Sequence, residues 1–331
     1  MSGVVSSVTF ERDVRNRAVI SWTLAGDCDR VDVAWAITPD GIDHRPVETV
    51  PAARGSVVID DVPPGRIYVA VGPAGGGGAT IAGERNLGLR GARNFRDLGG
   101  YQALGGARTR WGRVFRSDAL VLDDLDFDIF ASLGIRTVYD LRSDVEREST
   151  PNRLPDASYT SELVSLMSES AAPPPLDELI RDGEVFLADV YLHMLKRSAA
   201  SLGRILSGLA DETRLPAVFH CAAGKDRTGM VAALLLSVLG VPEQDILDDY
   251  ELTSRYRTPE RLDAVMQRLR TERGVAPEVA AGILRTPRWA MQSALADIRQ
   301  DYGGVEQYLI GPAAVDPSVP DDLRQLLLTD R

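Results

Sequence analysis

Ten residues in the second half of the chain, HCAAGKDRTG (220–229), constrain the fold more than any other stretch. They follow the short apolar run 217–219 and precede the almost wholly apolar run 230–239. The short run is typical of a buried strand, and the long run is typical of a buried helix. In a strand–loop–helix of this kind, the amide groups of the loop and the helix dipole favour a bound anion.

Composition limits the kinds of protein that this chain can be. Its 331 residues predict two domains, since a single core rarely grows past roughly 250 residues. A net charge of −11, from 37 basic and 48 acidic residues, argues against a nucleic-acid or anionic-membrane binder. Much of the negative charge lies in 156–190, which contains eight acidic residues and one basic residue, Arg181. A locally positive anion-binding site elsewhere in the chain is therefore compatible with the negative net charge.

The cysteines, histidines and apolar runs predict a soluble, metal-free protein. The N-terminus lacks the pattern of a signal peptide, and the run 229–241 is too short to span a bilayer. Two cysteines form no disulfide framework, so a cytoplasmic location is expected, with unconventional export left open. His44, His193 and His220 lie at no metal-ligand spacing, so no metal or cofactor is expected.

The first 80 residues predict an all-β domain. Apolar side chains alternate with polar or small ones in 20–24 and 31–37, which is typical of sandwich strands. The segment DDVPPGRIYVAV around Tyr68 resembles a corner of fibronectin type III domains, with Trp22 as a core residue. An immunoglobulin/fibronectin-like sandwich that binds a protein partner is expected over 1–80, and an unrelated small β domain is the alternative.

A glycine-rich segment, 72–78, predicts a boundary before a second domain over 86–311, followed by a C-terminal tail over 312–331. Apolar strands at 135–141 and 215–220 alternate with helical periods, which predicts an α/β sheet flanked by helices. The helical periods cover 123–133, 176–196, 199–210 and most of the chain after 229, with a break at 171–175.

The residue types in the loop predict chemistry at a phosphoryl group. Cys221 lies at the mouth of an anion-binding loop, where a cysteine is expected to be a thiolate at neutral pH. Ala222, Ala223 and Gly224 carry almost no side chain, so the backbone can wrap closely around an anion. Arg227 offers a fork of donors that matches phosphate. A buried structural cysteine is the alternative interpretation.

This stretch resembles the H-C-x5-R-[ST] loop of the cysteine-dependent protein tyrosine phosphatase superfamily. With ARNFRDLGGY (92–101), GRVFRS (112–117) and VYDLRS (138–143), it resembles a bacterial group of atypical tyrosine phosphatases over about residues 86–311. The resemblance implies a tyrosine phosphatase-like sheet and activity on phosphotyrosine. It also implies frequent activity on phosphoserine, phosphothreonine and phosphoinositides. The expected substrates are therefore phosphorylated proteins or phosphoinositides.

By position in the motif, the resemblance implies a role for each residue of the loop. Cys221 would be the nucleophile and Arg227 would clamp the phosphate. Thr228 would offer its hydroxyl to the thiolate, and His220 would orient the loop. The Lys225 side chain would either add charge for doubly phosphorylated or inositol substrates or lie in solvent. The expected phosphate-binding residues are Ala222, Ala223, Gly224, Lys225 and Thr228.

The general acid has two candidates, because none of the four Trp residues is followed by the Pro of a W-P-D loop. Asp226 is favoured, since it is within reach of a group bound in the loop. Its alternative role is a carboxylate paired with Lys225 or Arg227 that holds the loop. Asp140 ends a predicted strand near the site, but an ion pair with Arg142 or a helix N-cap is favoured over catalysis.

Residues outside the loop are expected to have mainly structural roles. His193 and Met194 lie on a packed helix face, and the helical stretch 259–300 is a candidate lid over the loop. Cys28 belongs to the other domain, so a disulfide with Cys221 is not expected. The residues that would order the first turn of the second domain are Asn94, Arg96 and Asp97.

Two other functions stay open on the sequence alone. A rhodanese-like sulfurtransferase also seats a cysteine in an anion-binding loop, but the six-residue spacing from Cys221 to Arg227, followed by Thr228, favours phosphate. A non-catalytic phospho-binding module is disfavoured, because binding alone needs no thiolate.

Overall fold

The computed structural model divides the chain into two compact units, Met1–Leu87 with Arg110–Gly112 and Gly88–Thr109 with Arg113–Arg331. The structure describes residues 5–13, 17–38, 45–60, 62, 65–76, 78–155, 159–166, 180–181, 184–185, 187–256, 263, 266–267, 271, 277, 281 and 284–329.

The described part of the first unit consists of antiparallel strands. These are β1 (Val5–Arg12), β2 (Ala18–Leu24), β3 (Arg30–Ala36), β4 (Arg45–Pro51), β5 (Ser56–Ile59), β6 (Tyr68–Pro73) and β7 (Thr80–Gly83), with a 3-10 turn at Ala52–Arg54. They form two sheets, β1-β2-β5 and β4-β3-β6-β7. Side chains from both sheets share one apolar cluster that includes Trp22, whose indole N–H donates to the Ala52 carbonyl at 3.0 Å. The predicted core position of this Trp is confirmed.

The sheet of the second unit consists of the strands β8 (Arg96–Asp97), β9 (Val114–Ser117), β10 (Thr137–Asp140), β11 (Thr160–Leu163) and β14 (Ala217–His220). Their order in this five-stranded sheet is β11-β10-β14-β9-β8. All neighbours are parallel except β8 and β9. Every residue of β9, β10 and β14 is buried, as expected for strands that are covered on both faces. The predicted α/β architecture is confirmed.

The helices of the second unit are α1 (Asp124–Ser132), α2 (Asp144–Ser149), α3 (Leu187–Arg197), α4 (Ala199–Leu209), α5 (Asp226–Val238), α6 (Glu243–Arg255), α7 (Arg288–Tyr302), α8 (Val305–Ile310) and α9 (Val319–Leu327). Short 3-10 turns lie at Leu104–Gly106 and Glu212–Arg214. Ten of the 13 residues of α5 are buried, because its sequence is apolar on every side. None of the helices in the described residues is both long enough and apolar enough to cross a membrane.

The predicted helix over 176–196 is wrong at 180–181 and 184–185. Residues 180–181 and 184–185 pair as the short antiparallel strands β12 (Ile180–Arg181) and β13 (Glu184–Val185), and α3 begins only at Leu187. The intervening Asp-Gly dipeptide favours a hairpin turn over a helix. In α3, Met194 is buried in the core and His193 is partly exposed.

The C-terminal residues belong to the core of the second unit. The sequence predicts a tail over 312–331, whereas Val319, Leu323 and Leu327 on one side of α9 pack into the main apolar cluster. The predicted break at 171–175 lies outside the described residues. Most of the candidate lid, from 259 to 283, also lies outside them, and its described remainder contains α7.

Candidate active site

Three parallel strands end side by side at the HCAAGKDRTG loop. Asp140 of β10 pairs with His220 of β14, and His220 pairs with Ser117 of β9. Cys221 follows β14 directly, and α5 begins at Asp226. Residues that follow the three strands therefore meet at one sheet edge, which is where open α/β sheets bind ligands.

Gly224 allows the loop to close over the cysteine. Its φ of +65° is a conformation that residues with a side chain rarely adopt. A Cβ atom at this position would lie 2.6 Å from Asn94 Nδ2 and 2.7 Å from both Asp118 N and Ser117 O. The Gly224 amide donates to Cys221 Sγ at 3.3 Å, and the cysteine is 2% exposed. No other residue type fits here without moving the surrounding backbone.

The carbonyl groups of the loop are held away from the cysteine. Asn94 Nδ2 donates to the carbonyls of Ala223 and Gly224 at 3.3 and 3.1 Å, and Arg116 NH2 donates to the Gly224 carbonyl at 2.8 Å. In a trans peptide the C=O and the following N–H point in opposite directions. The amides of Gly224 and Lys225 are therefore turned away from these donors, as in an anion-binding nest.

Behind the loop, two buried guanidinium groups share one carboxylate. Arg96 Nε donates to Asp249 Oδ1 at 3.0 Å, and Arg116 NH1 donates to Asp249 Oδ2 at 2.5 Å. The Tyr101 hydroxyl also donates to Asp249 Oδ1, at 3.0 Å. Burial, then the charge of Arg96, lowers the pKa of Arg116 to about 10 against the opposing effect of Asp249. The cluster contains two guanidinium groups and one carboxylate, so it is net positive beside the loop.

Arg227 is held by a carboxylate from another part of the chain. Its NH1 and NH2 donate to the two carboxylate oxygens of Glu146 at 2.6 and 2.7 Å, and NH1 also donates to the Leu141 carbonyl at 3.4 Å. Glu146 caps α2 together with Ser143. Burial opposes the charge of Glu146, but Arg227 and the Ser143 amide outweigh it and lower the pKa of Glu146 to about 2. The pair is therefore charged throughout the neutral range.

The Asp226 carboxylate lies in a network of buried groups. Its Oδ1 accepts a hydrogen bond from the Tyr191 hydroxyl at 2.6 Å and lies 3.2 Å from Lys225 Nζ. The Tyr191 and Tyr250 hydroxyls are 2.6 Å apart. Lys225 is buried and also donates to the Arg285 carbonyl at 2.9 Å, so the solvated alternative for Lys225 is wrong. The alternative pairing of Asp226 with Lys225 is present.

Asp140 and His220 form a separate buried cluster beneath the loop. Asp140 accepts hydrogen bonds from the backbone N, Nε and NH2 of Arg142 at 3.0, 2.9 and 2.7 Å. The ion pair favoured for Asp140 is therefore present. His220 Nε2 lies 3.2 Å from Asn152 Nδ2, and its Nδ1 lies 3.4 Å from the Cys221 carbonyl. Burial lowers the pKa of His220 to about 4, so its ring is neutral at pH 7.

Other predicted site residues have partners in the surrounding structure. The buried Thr228 hydroxyl donates to the Ser117 carbonyl at 3.4 Å, and its predicted contact with the thiolate stays a prediction. Asp97 Oδ1 accepts from the Gly99 amide at 2.7 Å. Ala222 is exposed. Among the described side chains, no group of three or more His, Cys, Asp or Glu residues is arranged to hold a metal ion.

Among the residues at the site that the sequence alone does not identify are Glu146, Tyr191 and Asp249. A Ser-x-x-Glu pattern at 143–146 signals a helix cap, but it does not indicate that the glutamate also holds an arginine 81 positions later. Tyr191 and Asp249 lie in amphipathic helices whose pattern predicts only burial. Their polar contacts link distant parts of the chain and carry no local signal.

Comparison with known proteins gives the family. Residues 87–329 match the tyrosine phosphatase family. A protein of Cupriavidus necator that is named as a tyrosine-protein phosphatase is 29% identical to this chain, over 75% of this chain and 91% of its own length. The tyrosine-protein phosphatase of Nostoc commune is 30% identical over 57% of this chain and 65% of its own. The triple specificity protein phosphatase PtpB of Mycobacterium tuberculosis is 31% identical to this chain, over 72% of this chain and 98% of its own length. The chain therefore belongs to the tyrosine phosphatase family.

Proposed function

We propose that this enzyme hydrolyses phosphotyrosine monoesters through a cysteinyl-phosphate intermediate on Cys221. One observation carries the proposal: the buried Cys221 sulfur accepts a hydrogen bond from the Gly224 amide. Donors on the far side of the loop hold its carbonyl groups away from the sulfur. Such a loop offers its amides to a phosphate, and a negative charge on the sulfur is stabilised by the same groups. The positive cluster of Arg96, Arg116 and Asp249 behind the loop favours both anions.

One edge of the Arg227 guanidinium group is suited to binding phosphate. A guanidinium group has five N–H donors, and three of those of Arg227 are in described hydrogen bonds to Glu146 and Leu141. The Nε–H and the second NH2 hydrogen point in nearly the same direction, which matches two oxygens of a phosphate. Glu146 therefore acts as a positioning residue, since it fixes the guanidinium plane before the substrate arrives.

Two displacements at phosphorus account for the chemistry. In the first, the Cys221 thiolate attacks the phosphorus, an S–P bond forms and the ester P–O bond breaks. The departing oxygen takes a proton from the Asp226 carboxyl group. In the second, a water molecule attacks the phosphorus, the S–P bond breaks and the water proton returns to the Asp226 carboxylate. The products are the alcohol or phenol and inorganic phosphate, and Cys221 is regenerated as the thiolate.

Asp226 is a better candidate for the general acid than Asp140. Asp140 is 1% exposed and accepts three hydrogen bonds from Arg142. The Asp226 side chain is 34% exposed and stands at the first position of α5, beside the loop that holds the phosphate. A proton donor must reach the leaving group, and that exposure favours Asp226.

The substrate range is proposed to extend beyond phosphotyrosine, to phosphoserine, phosphothreonine and phosphoinositides. The support is the similarity to a relative that is named for triple specificity. The Lys225 side chain gives no support, because its ammonium group is engaged by Asp226 and the Arg285 carbonyl. Any contribution of Lys225 to phosphate binding would come from its amide.

The two cysteines provide a test with an internal control. We expect iodoacetate to inactivate the enzyme in step with carboxymethylation of Cys221, and inorganic phosphate to slow modification of Cys221 but not of Cys28. Peptide mass spectrometry would follow both residues. Full activity after complete modification of Cys221 would contradict the proposal. The sulfurtransferase alternative would require thiosulfate turnover, whereas the phosphatase hydrolyses p-nitrophenyl phosphate.

We expect Glu146→Gln to lower kcat/KM for p-nitrophenyl phosphate by roughly 10- to 100-fold, since a small misplacement of a substrate-binding group has effects of this size. The neutral amide accepts only one of the two guanidinium hydrogen bonds. Steady-state kinetics would measure the loss. The matched control is Glu148→Gln, an exposed residue of the same helix, which should leave kcat/KM unchanged. Equal effects of the two variants would refute the positioning role of Glu146.

The first unit is proposed to be a fibronectin type III-like sandwich that recognises a protein partner. Its strand order, β1-β2-β5 in one sheet and β4-β3-β6-β7 in the other, is the support for this fold. Trp22 packs in the cluster shared by both sheets, as the resemblance implied.

A further inference from the structure

The buried hydroxyl of Tyr191 forms a directed chain with two neighbours. Tyr191 is fully buried on α3 and donates to Asp226 Oδ1 at 2.6 Å. A hydroxyl has a single proton to donate, and a carboxylate can only accept. Because the proton of Tyr191 is given to Asp226, the Tyr250 hydroxyl, 2.6 Å away, must donate to Tyr191. The hydrogen bonds therefore run from α6 through α3 to the start of α5.

The described contacts of the Asp226 carboxylate fall on one oxygen. The Tyr191 hydroxyl and Lys225 Nζ both approach Oδ1, at 2.6 and 3.2 Å. In a protonated carboxyl group, the oxygen that accepts such bonds is the carbonyl oxygen, and the proton resides on the other. The Tyr191 bond can persist in both protonation states, because Oδ1 accepts in each.

We propose that Tyr191 is a positioning residue for proton transfer, which orients Asp226 so that Oδ2 carries the proton toward the leaving group. The inference rests on the proposed function, in which Asp226 is the general acid. The hydroxyl of Tyr191 does not touch the substrate and acts only through the aspartate. In the described part of the chain, the charged and titratable groups around that carboxylate are Lys225, Arg227, Tyr191 and, one hydrogen bond further away, Tyr250.

The position of Tyr191 suits this role better than a role in proton exchange. Burial, then the charge of Asp226, raises the pKa of Tyr191 well above its usual value, so the phenol stays neutral. Its ring also packs edge-on against Tyr250, with centroids 6.3 Å apart. A rigid, neutral donor held on two sides fixes the orientation of its acceptor.

The leaving group provides the test of this inference. Phenyl phosphate needs a proton on its leaving oxygen more than p-nitrophenyl phosphate does. We expect Tyr191→Phe to lower kcat for phenyl phosphate by about tenfold or more, and kcat for p-nitrophenyl phosphate by less than about threefold. A misplaced general acid slows most the reaction whose leaving group most needs a proton. Tyr250→Phe is the matched control, because it removes a hydroxyl that is one hydrogen bond further away from Asp226. Its effect on kcat for phenyl phosphate should be smaller.

A double-mutant cycle separates positioning from a general structural effect. In an Asp226→Asn background the acid is absent, so adding Tyr191→Phe should not change the leaving-group dependence further. Thermal unfolding of each variant would monitor the fold. The inference is overturned if Tyr191→Phe slows both substrates equally, or if it slows Asp226→Asn as much as it slows the wild type.

Failure of the underlying proposal would look different. If Asp226→Asn alone showed no leaving-group dependence, the general-acid assignment would fall and this inference with it. If Asp226→Asn showed a strong dependence and Tyr191→Phe none, only the positioning role would fall. The modification of Cys221 by iodoacetate is independent of both outcomes.

Discussion

Cys221→Ser is expected to reduce kcat for p-nitrophenyl phosphate by at least about 10⁴-fold, since loss of a nucleophile has effects of this size or larger. A serine hydroxyl is not ionised at neutral pH, so no anion is present to attack the phosphorus. The loop amides, Arg227 and the buried cluster behind them are unchanged. Affinity for a phosphotyrosine peptide should therefore persist. Steady-state turnover and isothermal titration with the peptide would measure the two quantities.

The control for this variant is Cys28→Ser in the first unit, whose thiol donates to the Arg30 carbonyl. It should leave kcat unchanged. Residual turnover above about a tenth of wild type in Cys221→Ser would argue against covalent catalysis. Binding of the peptide without turnover in both the wild type and Cys221→Ser would instead support the phospho-binding module.

Asp249→Asn is expected to destabilise the second unit by about 3–5 kcal/mol, because it leaves Arg96 and Arg116 buried without a counter-charge. For a unit of this size, the unfolding midpoint should fall by roughly 6–20 °C. Differential scanning calorimetry would measure the shift. The activity should fall as well, because Arg116 also holds the Gly224 carbonyl.

The neighbouring Asp248→Asn is the matched control. Asp248 is exposed and pairs with Arg288 on the surface, where an ion pair contributes at most about 1 kcal/mol. Its unfolding midpoint should therefore stay close to that of the wild type. If Asp249→Asn unfolded at the same temperature as Asp248→Asn, the buried cluster would contribute nothing to stability beyond an ordinary surface pair.

The parts of the fold that could be predicted are those specified by local sequence. The apolar runs on either side of the loop predict β14 and α5, because a four-residue buried strand and a mostly buried helix each leave a contiguous signal. The helix predicted over 176–196 is wrong at 180–181 and 184–185, where the Asp-Gly dipeptide between the two strands favours a hairpin turn. The tail from 312 onward contains an amphipathic helix whose packing partner lies far away in the sequence.

Within the site, residues of the loop were predictable and their partners were not. Cys221, Asp226 and Arg227 stand in one motif whose spacing indicates their chemistry. Glu146 and Tyr191 reach the same site from 81 and 35 positions away, through contacts that only the folded chain creates. A charged or hydroxyl side chain in an amphipathic helix carries no local mark of the residue that it will contact.

Asp249 and Tyr250 are consecutive residues of α6, and their side chains serve two different parts of the site. Successive positions on a helix point about 100° apart, so one turn of α6 reaches both the arginine cluster and the tyrosine chain. Both side chains are anchored on the same helical turn, so a displacement of that turn moves both contacts together. Under the proposed function, a ligand or modification that displaces α6 would therefore alter phosphate affinity and proton delivery together.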